Sequence, residues 1–301
     1  MAQRIKQHIA SERAEEIVEL AEAVADEYCP TGKVAPEEIA VRKGLSLIYD
    51  HYGDAFDGVI EHEDGQLYIH CNLDRENVLG SPRGRFTVSH ELGHYFIDEH
   101  RNALASGRVR PHPSFTADRN RSDLRIEREA DLFASNLLMP PARFSVALAR
   151  ARKRLGAIQD LAGKFNVSIT CAAIRYVDSE VEPSVMVHRA PDGYMWSRLS
   201  KQFEAMNCGR IINATTQMPT DNPSAICRAL GEKPSGVIGG KIAASTWFPA
   251  LRRARDFQLR EEAMTLGRYG VLTLLTLPDS GSPKSVATTN PRSGKSDQMF
   301  I

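Results

Sequence analysis

Residues 86–94 read F-T-V-S-H-E-L-G-H, and this stretch decides how the surrounding chain folds and what it binds. On a helix, His90 and His94 lie one turn apart on the same face. Two imidazoles placed in this way can share one Zn²⁺ at nitrogen–metal distances of about 2.0–2.1 Å. Glu91 follows the first histidine, where a carboxylate can act as a general base without binding the metal. The stretch therefore predicts a helix with two metal ligands and a base, and Gly93 allows another segment to approach it closely.

A catalytic zinc needs a third protein ligand, and the segment 126–134, I-E-R-E-A-D-L-F-A, contains three acids. Glu127 and Asp131 are four residues apart, so on a helix they share one face. Glu127 can then bind the metal while Asp131 orients a ligand imidazole. Glu129 lies on a different face, where we expect it to be solvated or ion-paired. The alternative is that all three acids form only helix-surface ion pairs with nearby arginines.

Two motifs carry a family resemblance: F-T-V-S-H-E-L-G-H at 86–94 and E-R-E-A-D-x-F-A-x-x-L-L-M-P at 127–140. In this order and spacing they resemble the ImmA/IrrE family of gluzincin-like zinc metallo-endopeptidases, over roughly residues 10–180. The resemblance implies Zn²⁺ on His90, His94 and Glu127, with Glu91 catalytic and Asp131 in the layer behind the ligands. Another divalent ion such as Mn²⁺ also fits this ligand set.

The resemblance also implies where a substrate would lie. Two strand-like runs, 56–62 and 66–72, flank Asp64-Gly65, a pair typical of a tight hairpin turn. The second run would correspond to the edge strand on which such peptidases hold an extended substrate by backbone pairing. Its predicted substrate-binding residues are Leu67, Tyr68, Ile69 and His70.

Several members of this family cleave helix-turn-helix repressors and so switch on stress-response genes. By resemblance, we expect this chain to hydrolyse a peptide bond of a protein substrate, a helix-turn-helix transcriptional repressor, and so to control gene expression. Glu91 would take a proton from the attacking water and pass it to the leaving amine. The alternative is a DNA-binding or ligand-sensing transcriptional regulator with a non-catalytic metal site. The base at Glu91 argues against it, because a structural zinc uses four protein ligands and needs no base.

Residues 158–176 resemble the helix-turn-helix that follows the peptidase core in this family. A helix that reads DNA presents Arg, Lys, Asn or Gln to the base edges. Here the second helix begins I-T-C-A-A, and Arg175 is its only charge before Asp178. The net charge is also zero, from 38 basic and 38 acidic residues, so nothing indicates a strongly basic surface. We therefore expect these helices to pack on the peptidase core, and direct nucleic-acid binding is not favoured.

The motifs leave the oxyanion-stabilising residue open. His100, His112 and Tyr95 follow the metal helix and are candidates, with a surface or packed aromatic ring as the alternative for each.

The five cysteines are dispersed without a C-x-x-C pair, which is typical of reduced thiols in a cytoplasmic protein. The sequence begins without the apolar core of a signal peptide, and no apolar run reaches the roughly eighteen residues of a membrane span. We therefore expect a cytoplasmic protein without membrane partners.

The order of elements predicts an α+β protein. A zincin-like metallopeptidase domain is predicted for residues 1–156, followed by the helix-turn-helix-like segment 157–180 packed on it. A mixed, strand-rich accessory domain of unassigned role follows at 183–278, and a flexible tail at 279–301. Residues 104–122 lack periodicity and are predicted to form a long loop.

Overall fold

The computed structural model describes residues 9–106, 124–213, 216, 219–233, 236–251 and 256–279. Some predictions lie outside these ranges: most of the loop 104–122 with His112, and the tail beyond Asp279. The described helices are α1 (Ser11–Tyr28), α2 (Pro36–Arg42), α3 (Pro82–Phe96), α4 (Asp98–Ala105), α5 (Leu124–Leu138), α6 (Pro141–Leu148), α7 (Arg154–Phe165), α8 (Ile169–Asp178), α9 (Lys201–Glu204) and α10 (Pro223–Leu230). The described strands are β1 (Ser46–Asp50), β2 (Gly58–Glu63), β3 (Gln66–Asn72), β4 (Ser184–Arg189), β5 (Met195–Leu199), β6 (Ile238–Ala243), β7 (Gln258–Thr265) and β8 (Val271–Thr276).

The N-terminal sheet has three strands in the order β1-β3-β2. Strands β1 and β3 run parallel, and β2 and β3 form an antiparallel hairpin in which Glu63 pairs with Gln66. Asp64 and Gly65 join them with positive φ angles of 49° and 80°. A two-residue turn with two positive φ angles matches the right-handed twist of the strands, and the Asp-Gly pair adopts it at low cost. The hairpin predicted from the sequence is confirmed.

Helices α1, α2, α3 and α5 share one apolar core with this sheet. Ile69 of β3, Leu92 of α3 and Phe133 of α5 all belong to this core, and all three side chains are fully buried. The core receives one face of each element, as the period of two in strands and 3.6 in helices requires. It holds α3, the helix with the two predicted histidine ligands, between the sheet and α5.

The helix predicted to contain residues 86–94 is α3, and a second helix, α4, follows it at once. Helix α3 begins earlier, because Ser81 caps it by accepting a hydrogen bond from the Gly84 amide at 3.0 Å. It ends at Phe96, since Ile97 takes an extended conformation with its side chain buried, and α4 follows at once. This break turns the chain back alongside α3.

The C-terminal sheet has five strands in the order β5-β4-β8-β7-β6, and every neighbouring pair is antiparallel. Alternate residues of its central strands enter different cores. Met186 and Leu274 pack with helices α6 to α8, whereas Val185 and Leu275 pack with Trp247 on the opposite face. The predicted α+β fold with a strand-rich C-terminal part is confirmed.

Helices α6, α7 and α8 lie against one face of that C-terminal sheet as well as the end of α5. The predicted boundary at 156/157 falls inside α7. At the start of this helix the Arg154 guanidinium donates to Thr276 Oγ1 at 3.0 Å, and the Leu155 amide donates to Glu262 at 3.2 Å. The helix-turn-helix-like segment therefore contacts the sheet directly, and the division into separate domains stays a prediction. Within the described ranges, no helix is long and apolar enough to cross a membrane.

Candidate metal centre

Helices α3 and α5 approach each other closely at a glycine. A Cβ atom at Gly93 would lie 3.0 Å from Ala130 Cα and 3.2 Å from its carbonyl oxygen, so α5 would have to shift by a few tenths of an ångström to accept a side chain there. The predicted role of Gly93 is therefore confirmed, and its partner is α5. This approach brings Glu127, one turn before Ala130, beside the histidines of α3.

Three ligand atoms converge between the two helices. His90 Nε2 lies 3.2 Å from His94 Nε2 and 3.2 Å from Glu127 Oε2, and His94 Nε2 lies 3.6 Å from Glu127 Oε1. Ligands placed about 2.0–2.2 Å from one tetrahedral ion stand roughly 3.3–3.6 Å apart, so the spacing suits a shared metal. Within the described ranges, this is the only group of three such side chains that could hold a metal ion.

The carboxylate of Glu127 suits a bound metal ion, because one of its oxygens lacks a hydrogen-bond donor in the described part of the chain. Glu127 Oε1 is buried and has no hydrogen-bond partner among the described residues. Such an acceptor is costly unless a cation or donor meets it. Two imidazole nitrogens and one carboxylate are a ligand set of catalytic zinc, which leaves a fourth position for water or substrate.

Asp131 lies behind His90, as the sequence predicts. Its Oδ1 is 2.9 Å from His90 Nδ1, so Nδ1 carries the donated proton and the Nε2 lone pair faces the other ligands. Burial alone would lower the pKa of His90, but hydrogen bonds to Asp131 and Glu127 raise that pKa well above its ordinary value. A metal must therefore displace a proton from His90 near neutral pH.

Glu91 is fully buried and supplies no atom to the ligand cluster. It lies near Cys71 at the end of β3. Burial, and then the negative charge of Glu91, raise the pKa of the Cys71 thiol to about 12. The Glu91 carboxylate is therefore close enough to Cys71 and to His90 for its charge to raise both pKa values, and it is not one of the three ligands.

The prediction that β3 is an edge strand is wrong, whereas a role of its side chains in substrate binding stays a prediction. Strand β3, with Leu67, Tyr68, Ile69 and His70, is the centre of its sheet, paired with β1 on one side and β2 on the other. Its backbone groups already serve the sheet, so it has no free edge for a peptide. Within the described chain β2 pairs only with β3, and both α3 and α4 pack on β2. The sheet edge beside the metal helix belongs to β2.

The sequence analysis missed the burial of Glu129 and its partner on α1. Glu129 was expected to be solvated or ion-paired; it is ion-paired, but its side chain is only 3% exposed. Arg13 of α1 binds it, and no sequence signal links residues so far apart. Of the oxyanion candidates, His100 packs against His94 and bonds Glu129, whereas Tyr95 packs on Phe96. His112 lies outside the described residues.

Two histidines on one helix, a carboxylate from a second helix and an adjacent glutamate form a pattern typical of zincin-type metallopeptidases. The family comparison agrees. Residues 73–176 match the family model described as the IrrE N-terminal-like domain, Peptidase_M78, so this part of the chain resembles the metallopeptidase domain of the ImmA/IrrE family. The matched segment includes α3, α5 and the helix-turn-helix-like pair.

The other comparisons concern the fold. A solved structure called "Mycobacterium tuberculosis transcriptional regulator" is 14% identical, with a TM-score of 0.54. The match covers 94% of this chain and 96% of that one, so the likeness extends over both sheets. At this identity it shows a common fold alone. No curated protein matches the sequence.

Proposed function

We propose that this chain is a zinc-dependent metallo-endopeptidase. The observation that carries the proposal is the convergence of His90, His94 and Glu127 around one position, with the Glu91 charge close enough to raise the pKa of His90. A structural zinc site would need a fourth protein ligand and no base. The match to a metallopeptidase family supports the same conclusion.

Each residue of the site has its own role in the proposed reaction. A bound divalent ion supplies the Lewis acid that activates water and polarises a peptide carbonyl. Asp131 keeps the proton of His90 on Nδ1, which leaves Nε2 free as a ligand. The Glu91 carboxylate accepts the proton of the attacking water and returns it to the nitrogen of the leaving amine. Shielding of Glu91 from bulk water strengthens its interaction with a proton in transit.

The sheet supports an extended polypeptide as substrate. The free edge of β2 lies on the α3 side, where a peptide could add as a further strand and present one bond to the ligands. The protein substrate in our proposal is a helix-turn-helix repressor, which rests on the family resemblance. The similar solved structure is called a transcriptional regulator, which supports a role in gene control. All five cysteines are free, which supports a reducing compartment, the cytoplasm.

The environment of helix α8 favours a role in packing the protein core rather than in reading DNA bases. Its buried residues join the core that α6, α7 and the C-terminal sheet share. Its arginine, Arg175, already has partners within the protein. The guanidinium lies 5.5 Å from the Phe144 ring centroid and donates to the Met139 carbonyl at 3.3 Å. A helix held in this way offers few groups to base edges.

The test compares metal content and cleavage in four proteins: wild type, Glu127→Ala, Glu91→Gln and Glu19→Gln. Glu19 is exposed on α1 and controls for loss of a glutamate charge. Elemental analysis should find about one zinc per chain in all but Glu127→Ala. Cleavage of unfolded casein should be lost in both site variants and kept in Glu19→Gln. Wild type that binds no divalent metal, even after zinc is supplied, would refute the proposal and favour the DNA-binding or ligand-sensing alternative.

A further inference from the structure

A second cluster of charged and aromatic groups lies directly behind the metal ligands. The ring of His94 packs between His90, at 4.9 Å between centroids, and His100, at 5.1 Å. His100 Nε2 is 3.3 Å from Glu129 Oε2, and both side chains are almost completely buried. No residue of this outer pair is a metal ligand.

The chain makes this contact only because α3 stops where it does. A helix continued through Ile97 would place residue 100 well beyond His94 along the same axis, at 1.5 Å per residue. The extended conformation at Ile97 redirects the chain, so α4 brings His100 back to the ligand ring. The position of His100 is therefore a product of the turn and not of helical periodicity.

Two arginines fix the carboxylate from outside. Glu129 Oε2 accepts from Arg13 Nε at 3.2 Å and Nη2 at 3.1 Å, and Glu129 Oε1 accepts from Arg125 Nε at 2.8 Å. A buried carboxylate is retained at low cost only when its lone pairs are met by donors such as these. With the carboxylate ionised, His100 Nε2 donates to it, which fixes the orientation of the His100 ring.

We propose that His100 and Glu129 are positioning residues of the metal centre, a role that rests on the proposed function. The Glu129 carboxylate, locked to α1 through Arg13, holds the His100 ring, and that ring limits rotation of the His94 imidazole. One ligand, His90, is oriented by a hydrogen bond to Asp131. The other ligand, His94, is confined by the packed His100 ring. The orientations of both imidazoles are therefore fixed before a metal binds.

The experiment uses full-length Glu129→Gln and His100→Gln, with Glu99→Gln as the matched control. Glu99 also binds Arg13, at 2.9 Å, but its side chain is 68% exposed. Zinc affinity is measured by competition with a chromophoric chelator, and ligand geometry by the visible absorption of the Co²⁺-substituted proteins. Thermal unfolding of the metal-free proteins confirms folding, and His100→Gln carries the test if Glu129→Gln fails to fold.

Both site variants should bind zinc about tenfold more weakly and show a shifted Co²⁺ spectrum, because His94 gains freedom. Glu99→Gln should stay within about twofold of the wild type in affinity, as expected for an exposed ion pair. If both site variants keep the wild-type affinity and Co²⁺ spectrum, the cluster is structural only and the positioning role is wrong. Wild type without metal affinity would instead overturn the proposed function itself, so the two failures are distinguishable.

Discussion

Replacing Asp131 by Asn tests the metal centre at a residue that binds no metal itself. Asp131 accepts a hydrogen bond from His90 Nδ1 at 2.9 Å, and its charge helps to raise the pKa of His90. The asparagine keeps the size of the side chain and one acceptor oxygen. It removes the charge that holds the imidazole and makes its Nε2 a stronger ligand.

The expected loss of zinc affinity follows from the exposure of Asp131. Removal of such a partner typically costs between 10-fold and 100-fold in metal affinity. The Asp131 side chain is 57% exposed, so water screens its charge and the lower end applies. A loss of about tenfold corresponds to about 1.4 kcal/mol at 25 °C.

The difference in zinc affinity between the wild type and Asp131→Asn should change with pH in one direction. In the metal-free wild type the raised pKa keeps a proton on His90, and zinc must displace that proton. Asp131→Asn lowers this pKa, so the variant suffers less competition from protons. The difference in affinity between the two proteins should therefore be largest at about pH 8.5 and should narrow as the pH falls towards about 6.

Chelator competition over this pH range provides the measurement. Asp26→Asn is the control, because Asp26 is similarly exposed at 64% and pairs with Arg143, far along the chain from the ligands. It should leave zinc affinity unchanged. An unchanged affinity for Asp131→Asn at alkaline pH, or a loss that grows as the pH falls, would refute this account of the Asp131–His90 pair.

Three further predictions concern stability and reactivity. Arg85→Met should lower the free energy of unfolding by about 3 kcal/mol in urea titrations, because Arg85 is buried and donates to the Val34 and Asn166 carbonyls. Arg152→Met is the control and should lower this free energy much less, because Arg152 forms an exposed ion pair with Asp160. Cys71 should resist iodoacetamide at about pH 8 until the chain unfolds, because with a pKa of about 12 roughly one thiol in ten thousand is ionised; rapid labelling of the native protein would contradict its burial. Burial holds the pKa of Glu261 above its ordinary value against hydrogen bonds from Trp247 and Ser224, so the folded state retains this proton when the unfolded state has lost it. Stability relative to Glu261→Gln should therefore fall as the pH rises through the range just above about 4.3, measured on metal-free protein, and a rise over that range would be evidence against the sign.

The sequence was sufficient to find the candidate ligands, because their spacing is a property of one helix at a time. His90 and His94 are separated by four residues, and Glu127 and Asp131 by the same interval, so each pair shares a face whatever the tertiary fold. The hairpin turn at Asp64 and Gly65 is local in the same sense, since its backbone geometry depends on two residues.

The sequence failed where contacts join distant segments. Strand β3 was assigned to a sheet edge, but β1, which lies before the hairpin in the chain, pairs along its other side. Strand order depends on which apolar faces find a common core, and periodicity within one strand carries no information about its neighbours. For this reason β2, and not β3, forms the sheet edge beside the metal helix.

The environment of the ligands belongs to the tertiary structure as well. Periodicity placed Glu129 on a separate helix face from Glu127, which is correct, but it could not say that α1 and α4 cover that face. A break at Ile97 turns His100 onto the His94 ring. By itself the sequence predicted the metal helix, the hairpin turn and the candidate ligands, because local spacing fixes them. Only the tertiary structure decided which strand is free and which charges are buried, because both depend on long-range packing.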